Sequence, residues 1–132
     1  MNFQPAGVLL DTNVLIDFLC GRARALDLIR DLSQRHVSPS VSCVSVAELY
    51  AGTLPTEEVA TAELIDSLDC ISWTLEIVQK AGVLCADARR MGRTFPLDDM
   101  MIAATAIALG NPLVTDNRQD FEAPEIEIYP GY

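Results

Sequence analysis

Gly7-Val8-Leu9-Leu10-Asp11-Thr12-Asn13-Val14-Leu15-Ile16-Asp17 is the stretch on which the fold turns. Non-polar residues run straight into Asp11, and a second apolar stretch follows it. A short apolar run closed by a polar residue is the pattern of a strand buried on both faces, whose end reaches the carboxyl edge of a parallel sheet. In open α/β sheets that edge is where ligands bind. The pattern therefore predicts a strand over 7–11, a helix over 12–20 and a carboxylate at the edge of a site. The structural alternative is that Asp11 only caps the helix beginning at Thr12, because Asp is a favoured N-cap residue.

The same ending recurs in Pro112-Leu113-Val114-Thr115-Asp116-Asn117-Arg118-Gln119-Asp120-Phe121, which predicts a strand over 112–115 delivering Asp116. An Asp before Asn is also a turn former, the alternative there. Between these two runs lie two acids on expected helices. Glu48 falls in Ser42-Cys43-Val44-Ser45-Val46-Ala47-Glu48-Leu49-Tyr50-Ala51-Gly52, where Ser45-x-x-Glu48 fits a capping box at the start of a helix from Val46 to Ala51. Asp99 opens Asp99-Met100-Met101-Ile102-Ala103-Ala104-Thr105-Ala106-Ile107-Ala108-Leu109, an uncharged helical run stopped by Gly110 and Pro112. At helical spacing Asp99 shares a stripe with Ile102, Ala103 and Ala106, while Asp98 is the expected cap. Carboxylates gathered without a counter-charge raise one another's pKa, so such a cluster implies a bound cation, and oxygen donors suit a hard one.

The remaining elements follow from periodicity. Helix 23–34 carries Ala25, Leu28, Ile29 and Leu32 on one face, and a short strand lies near 37–42. A helix over 56–68 has its stripe at Val59, Ala62, Ile65 and Leu68, followed by strand 70–73, helix 75–91, helix 98–109 and a closing strand near 126–129. Alternating strands and helices imply a mostly parallel sheet covered on both sides, an α/β fold of three layers, α/β/α.

The 132 residues are expected to form a single domain over 1–132, long enough to bury roughly 70% of the unfolded surface. Cys20, Cys43, Cys70 and Cys85 form no Cys-x-x-Cys pair and lie in apolar segments, which suggests buried thiols in a reducing cytoplasm rather than disulfides or a zinc site. His36 stands alone, so neither a Cys–His nucleophile nor a histidine metal site is available. The start lacks a basic targeting segment, and no apolar stretch reaches the ~18 residues of a membrane span. With 19 acids against 9 bases the net charge is −10, which opposes phosphate binding in general. Arg89, Arg90 and Arg93 just ahead of the Asp99 motif are the candidate RNA contacts, with solvated helix ends the alternative.

Leu10-Asp11-Thr12-Asn13, Ser45-x-Ala47-Glu48-Leu49-x-x-Gly52, Pro96-Leu97-x-Asp99-x-x-Ile102-Ala103-Ala104 and Leu113-Val114-Thr115-x-Asn117-x-x-x-Phe121 stand in that order. Together they resemble the PIN-domain nucleases, and among them the VapC toxins of VapBC-type toxin–antitoxin pairs. The resemblance implies an Mg²⁺- or Mn²⁺-dependent endoribonuclease that cleaves tRNA or ribosomal RNA, forms a homodimer and is held by a small antitoxin. It implies Asp11 as central ligand, Glu48 and Asp99 on the same ion, and Asp116 on a second. Thr12, Asn13, Thr115 and Asn117 would orient ligands or water. Family members often carry the fourth acid two residues after the Thr, where this chain has Asn117, so Asp116, Asn117 and Asp120 all remain candidates. A phosphatase of the haloacid-dehalogenase type shares the opening strand and Asp but needs a second Asp where Asn13 stands. A non-catalytic binding module would have no reason to keep the acids.

Overall fold

A computed structural model describes residues 5–132. Strand β1 (Gly7–Leu10) leads to helices α1 (Thr12–Leu19) and α2 (Ala23–Gln34), then strand β2 (Ser38–Ser42) and helix α3 (Cys43–Ala51). A single 3₁₀ turn at Pro55–Glu57 precedes α4 (Glu58–Asp66) and strand β3 (Asp69–Ile71). Helices α5 (Leu75–Arg90) and α6 (Leu97–Leu109), strand β4 (Leu113–Val114) and a 3₁₀ turn at Arg118–Phe121 complete the order. The four strands form one parallel sheet in the order β3-β2-β1-β4.

Strands β1 and β4 are wholly buried, as their apolar runs predict, and alternate residues of β1 feed opposite cores. Leu9 joins α5 and α6 through Ile77, Leu84, Met100 and Ala103. Val8 and Leu10 face Val14, Leu15, Leu28 and Leu32 of α1 and α2, with Leu49 and Leu64 beyond. Leu113 and Val114 of β4 divide in the same way. The three layers expected from the sequence are therefore present. Helix α6 ends at Gly110 in the left-handed conformation, φ 68°, the cap predicted for it.

Several expectations are corrected. Helix α3 begins three residues earlier than the Ser45 capping box implied, because Ser42 is the cap and accepts the Val44 N–H; Ser45 is buried inside the helix. Helix α6 has Pro96 at its N-cap with no side-chain cap, so Asp98 lies in the first turn and is not the cap. Val59 is exposed, and α4 packs instead through Thr61 and Leu64. Residues 126–129 form no strand; among the described residues they make one parallel bridge, Leu113 to Ile128. The cysteines are all free, but only Cys85 is buried: Cys20 sits at the C-cap of α1 and Cys70 on the edge strand β3, both in reach of solvent. Among the described residues no helix is long and apolar enough to cross a membrane.

Candidate active site

The central strand β1 ends at Leu10, and Asp11 follows at the carboxyl edge of the sheet, its backbone N–H donating to the Val114 carbonyl of β4 at 2.9 Å. Asp11 is both things the sequence allowed. Its Oδ1 accepts the Thr12 N–H at 2.8 Å and so caps α1, while Oδ2 accepts the Thr115 hydroxyl at 2.8 Å. Thr115 is in turn fixed from behind, its oxygen accepting the Asn117 N–H at 3.0 Å. Asp11 is buried, and that burial pushes its pKa up, while the Thr115 and Thr12 bonds pull it down and the charges of Asp116 and Asp120 add to the rise.

Glu48 reaches the same place from the middle of α3 rather than from its cap. Thr12 Oγ1 donates to Glu48 Oε1 at 2.9 Å and lies 2.8 Å from the buried Ser45 Oγ. One threonine thereby joins α1 to α3 at the site. Burial is the main cause that raises the Glu48 pKa, with the Asp98 and Asp11 carboxyls adding to it against the Thr12 bond. Asp99, in the first turn of α6, is pushed up to about 6, first by burial and then by the charges of Asp98, Asp11, Asp120 and Glu48. The charges that act most strongly on Asp99 are all those of acids.

Asp11, Thr12, Asn13, Ile16, Glu48, Asp99, Asn117, Asp120 and Phe121 line one open cavity of about 370 Å³. Among the described residues no basic side chain lines it. The structure thus gathers Asp11, Glu48 and Asp99, with Thr12, Asn13 and Asn117 beside them. Thr115 touches the site through its bond to Asp11. Asp116 is not brought in: its Oδ2 accepts from Arg24 Nη2 at 2.7 Å, outside the cavity, and Asp120 occupies the wall instead. Arg89, Arg90 and Arg93 lie away from the lining; Arg90 pairs with Asp87, and Arg93 donates to the Glu122 carbonyl and stacks over Phe95. Among the described residues no three His, Cys, Asp or Glu side chains make a ready metal cage.

Three residues that the sequence reading did not assign to the site also matter here. Ser45, read as a cap, buttresses Thr12; Asp98 faces Glu48; and Ile16, one turn after Thr12, forms an apolar wall.

A sequence profile of the PIN domain matches residues 8–126. The chain belongs to the PIN-domain family. This PIN-domain chain is 34% identical over 111 residues to Ribonuclease VapC10 of Mycobacterium tuberculosis, covering 83% of this chain and 82% of that protein. It is 29% identical over 119 residues to Ribonuclease VapC2 of Haemophilus influenzae, covering 86% of this chain and 89% of that one. Its fold superposes on the DNA-bound VapBC from Salmonella typhimurium with a TM-score of 0.80 at 26% identity, covering 95% of this chain and 98% of that one. The PIN-domain match spans all four motif segments, from β1 to the turn after β4.

Proposed function

We propose that this PIN-domain chain is the ribonuclease toxin of a toxin–antitoxin pair, that it depends on Mg²⁺ or Mn²⁺, and that it cleaves tRNA or ribosomal RNA endonucleolytically. The observation that carries the reading is the convergence of Asp11, Glu48, Asp99 and Asp120 on one cavity with no basic residue among the described residues of its lining. Asp11, Glu48 and Asp99, each with its pKa raised by burial and by neighbouring acids, are a donor set short of a cation. The set suits a hard divalent ion, and because it lines a cavity rather than a cage, it suits one that keeps part of its water shell, as Mg²⁺ does. Asp11, Glu48, Asp99 and Asp120 would hold it. When bound, such an ion supplies the positive charge that activates water and stabilises the departing oxygen of a phosphodiester.

The chain's own residues supply the rest. Thr115 and the Thr12 N–H hold the two Asp11 oxygens at fixed angles, so this carboxylate does not need to reorganise when charge gathers beside it. The Thr12 hydroxyl holds Glu48. Asn13 and Asn117 offer neutral donors and acceptors on the cavity wall, suited to water or to a phosphate oxygen.

An apolar groove opens beside the acidic cavity, lined by Ile16, Leu19, Leu49 and Ala60, and Ile16 and Glu48 border both. A small antitoxin with an amphipathic segment and a basic side chain suits that pair of surfaces, apolar contact in the groove and a cation against the acids. The chain is also read as a homodimer, which its mass in solution tests. The decisive experiment is induced expression followed by sequencing of RNA 5′ ends, paired with metal-stripped protein on the identified RNA. Metal-restored cutting at a defined site is expected. Cutting that persists in the chelator, or no cutting by protein that binds metal, overturns the reading; where cutting is metal-restored, co-expression with the neighbouring reading frame is expected to silence it.

A further inference from the structure

Asp116 is the acid that the sequence places most naturally as a fourth ligand, one residue beyond Thr115, yet the fold takes its carboxylate elsewhere. Arg24 of α2 reaches across from a position 92 residues away and donates to Asp116 Oδ2 at 2.7 Å. The same Arg24 nitrogen stands 3.5 Å from Asp17 Oδ2. The Tyr132 hydroxyl donates to that Asp17 oxygen at 2.6 Å, and the Arg24 guanidinium carbon lies 4.2 Å from the Tyr132 ring centroid. Arg22 Nε pairs with the other Asp17 oxygen at 3.2 Å. Arg24 is therefore fixed by two carboxylates and a ring face. A planar guanidinium can serve all three at once, and a lysine ammonium cannot.

An isolated surface ion pair is weak, because holding two long side chains in one geometry costs entropy. Here the partners are themselves held, Asp17 on both oxygens and the guanidinium against the ring, so much of that entropy is already lost. Asp116 also follows directly on Thr115, whose hydroxyl orients Asp11. A free Asp116 would have a short path to the cavity. We propose that Arg24 withdraws Asp116 from the acidic cavity, a positioning role that leaves the fourth carboxylate place to Asp120. The proposal rests on the metal-dependent reading above and deepens it.

The test is Mn²⁺ binding to metal-stripped protein, followed by calorimetry without RNA, with circular dichroism confirming the fold of each variant. Asp116→Asn should bind Mn²⁺ within about twofold of the unaltered protein, and Asp120→Asn should bind about tenfold more weakly or worse. Arg24→Met should tighten binding about fivefold, and Arg24→Met with Asp116→Asn should return it to the starting value. Arg22→Met controls for loss of a nearby charge, since Arg22 touches Asp17 and not Asp116; it should shift affinity by less than about twofold. A tenfold loss in Asp116→Asn alone would overturn the proposal by making Asp116 a ligand. Equal tightening in Arg22→Met overturns it too, as does an Arg24→Met variant with unchanged Mn²⁺ affinity, and weakened RNA binding in that last case would make Arg24 a substrate contact. If Arg24→Met does not fold, the Asp116→Asn and Asp120→Asn pair decides alone. Failure of the unaltered protein to bind Mn²⁺ at all is a separate result, and removes the metal reading together with the inference.

Discussion

The Asp11 carboxylate has one oxygen on the Thr12 N–H and the other on the Thr115 hydroxyl, and this separates two kinds of substitution. Asn keeps the shape and the capping bond of Asp but not its charge. Asp11→Asn and Asp99→Asn are therefore expected to fold, by circular dichroism, and to lose metal-dependent RNA cleavage, with Glu48→Gln severely impaired. Normal cleavage by Asp11→Asn would remove the mechanism. Thr115→Val keeps volume but deletes the donor to Asp11 and the acceptor of the Asn117 N–H; a loss of about 10–100-fold in metal affinity or cleavage is expected, measured on folded protein. The raised pKa of Asp99, about 6 against an ordinary 3.8, has a consequence for stability. The folded chain keeps a proton there that the unfolded chain has released, so stability is highest below pH 4 as far as this group is concerned and falls as pH rises toward 6 and beyond. In chelator the loss should reach about 1–2 kcal/mol once solvent screening is allowed for, and millimolar Mg²⁺ should remove it. Melting curves at pH 5 and pH 7, with and without Mg²⁺, check this; no pH effect in chelator counts against the acid cluster. That Asp11, Glu48 and Asp99 share one cavity was legible from the order of the four motif segments; Asp11 and Asp99 were marked besides by the apolar runs beside them, whereas Glu48 alone read as a capping residue. The withdrawal of Asp116 was not, since nothing near it in sequence announces a guanidinium from α2.

Elements were read best where burial is two-sided. The run Gly7 to Leu10 could only be a central strand, and the uncharged run after Asp99 only a buried helix; both ended within a residue or so of their expected bounds. The start of α3 was set too late because Ser45-x-x-Glu48 satisfies a capping pattern, while the actual cap, Ser42, is also the end of β2. Local sequence does not reveal that a strand runs directly into a helix without a turn. The strand expected near 126–129 shrinks to one bridge because only Leu113 and its neighbours, a two-residue strand, are there to pair with. Gly7 shows how tightly β1 is seated. A Cβ there would stand 2.9 Å from Asn111 Nδ2 and 3.1 Å from the Ser38 carbonyl of β2. Gly7→Ala is expected to cost about 1–2 kcal/mol, since the short Asn111 side chain can give way but the β2 backbone cannot. A melting temperature equal to that of the unaltered chain would show that β1 shifts freely.

For the molecule as a whole, a cation that binds only the folded state stabilises it by mass action, about 1.4 kcal/mol at ten times its Kd. Metal-stripped protein should accordingly melt several degrees higher with added Mg²⁺ or Mn²⁺, and a melting point indifferent to both would weigh heavily against a shared site. The sign of the net charge, −10, argued against phosphate binding when taken over the whole chain; the structure gives it a location, with several of its acids concentrated at the edge of β1. Layering was legible from alternation of strands and helices, but the order β3-β2-β1-β4 was not, because pairing partners are chosen by packing over long separations. That order has a further consequence in time. Leu9 and Leu10 pair with Leu113 and Val114, and the Thr115 bond to Asp11 spans 104 positions. Closing so long a loop is slow and comes late in folding. A chain emerging from the ribosome therefore carries Asp11 for most of its synthesis without the threonine that aims it, and the acidic cavity is completed only when residues 113–121 arrive.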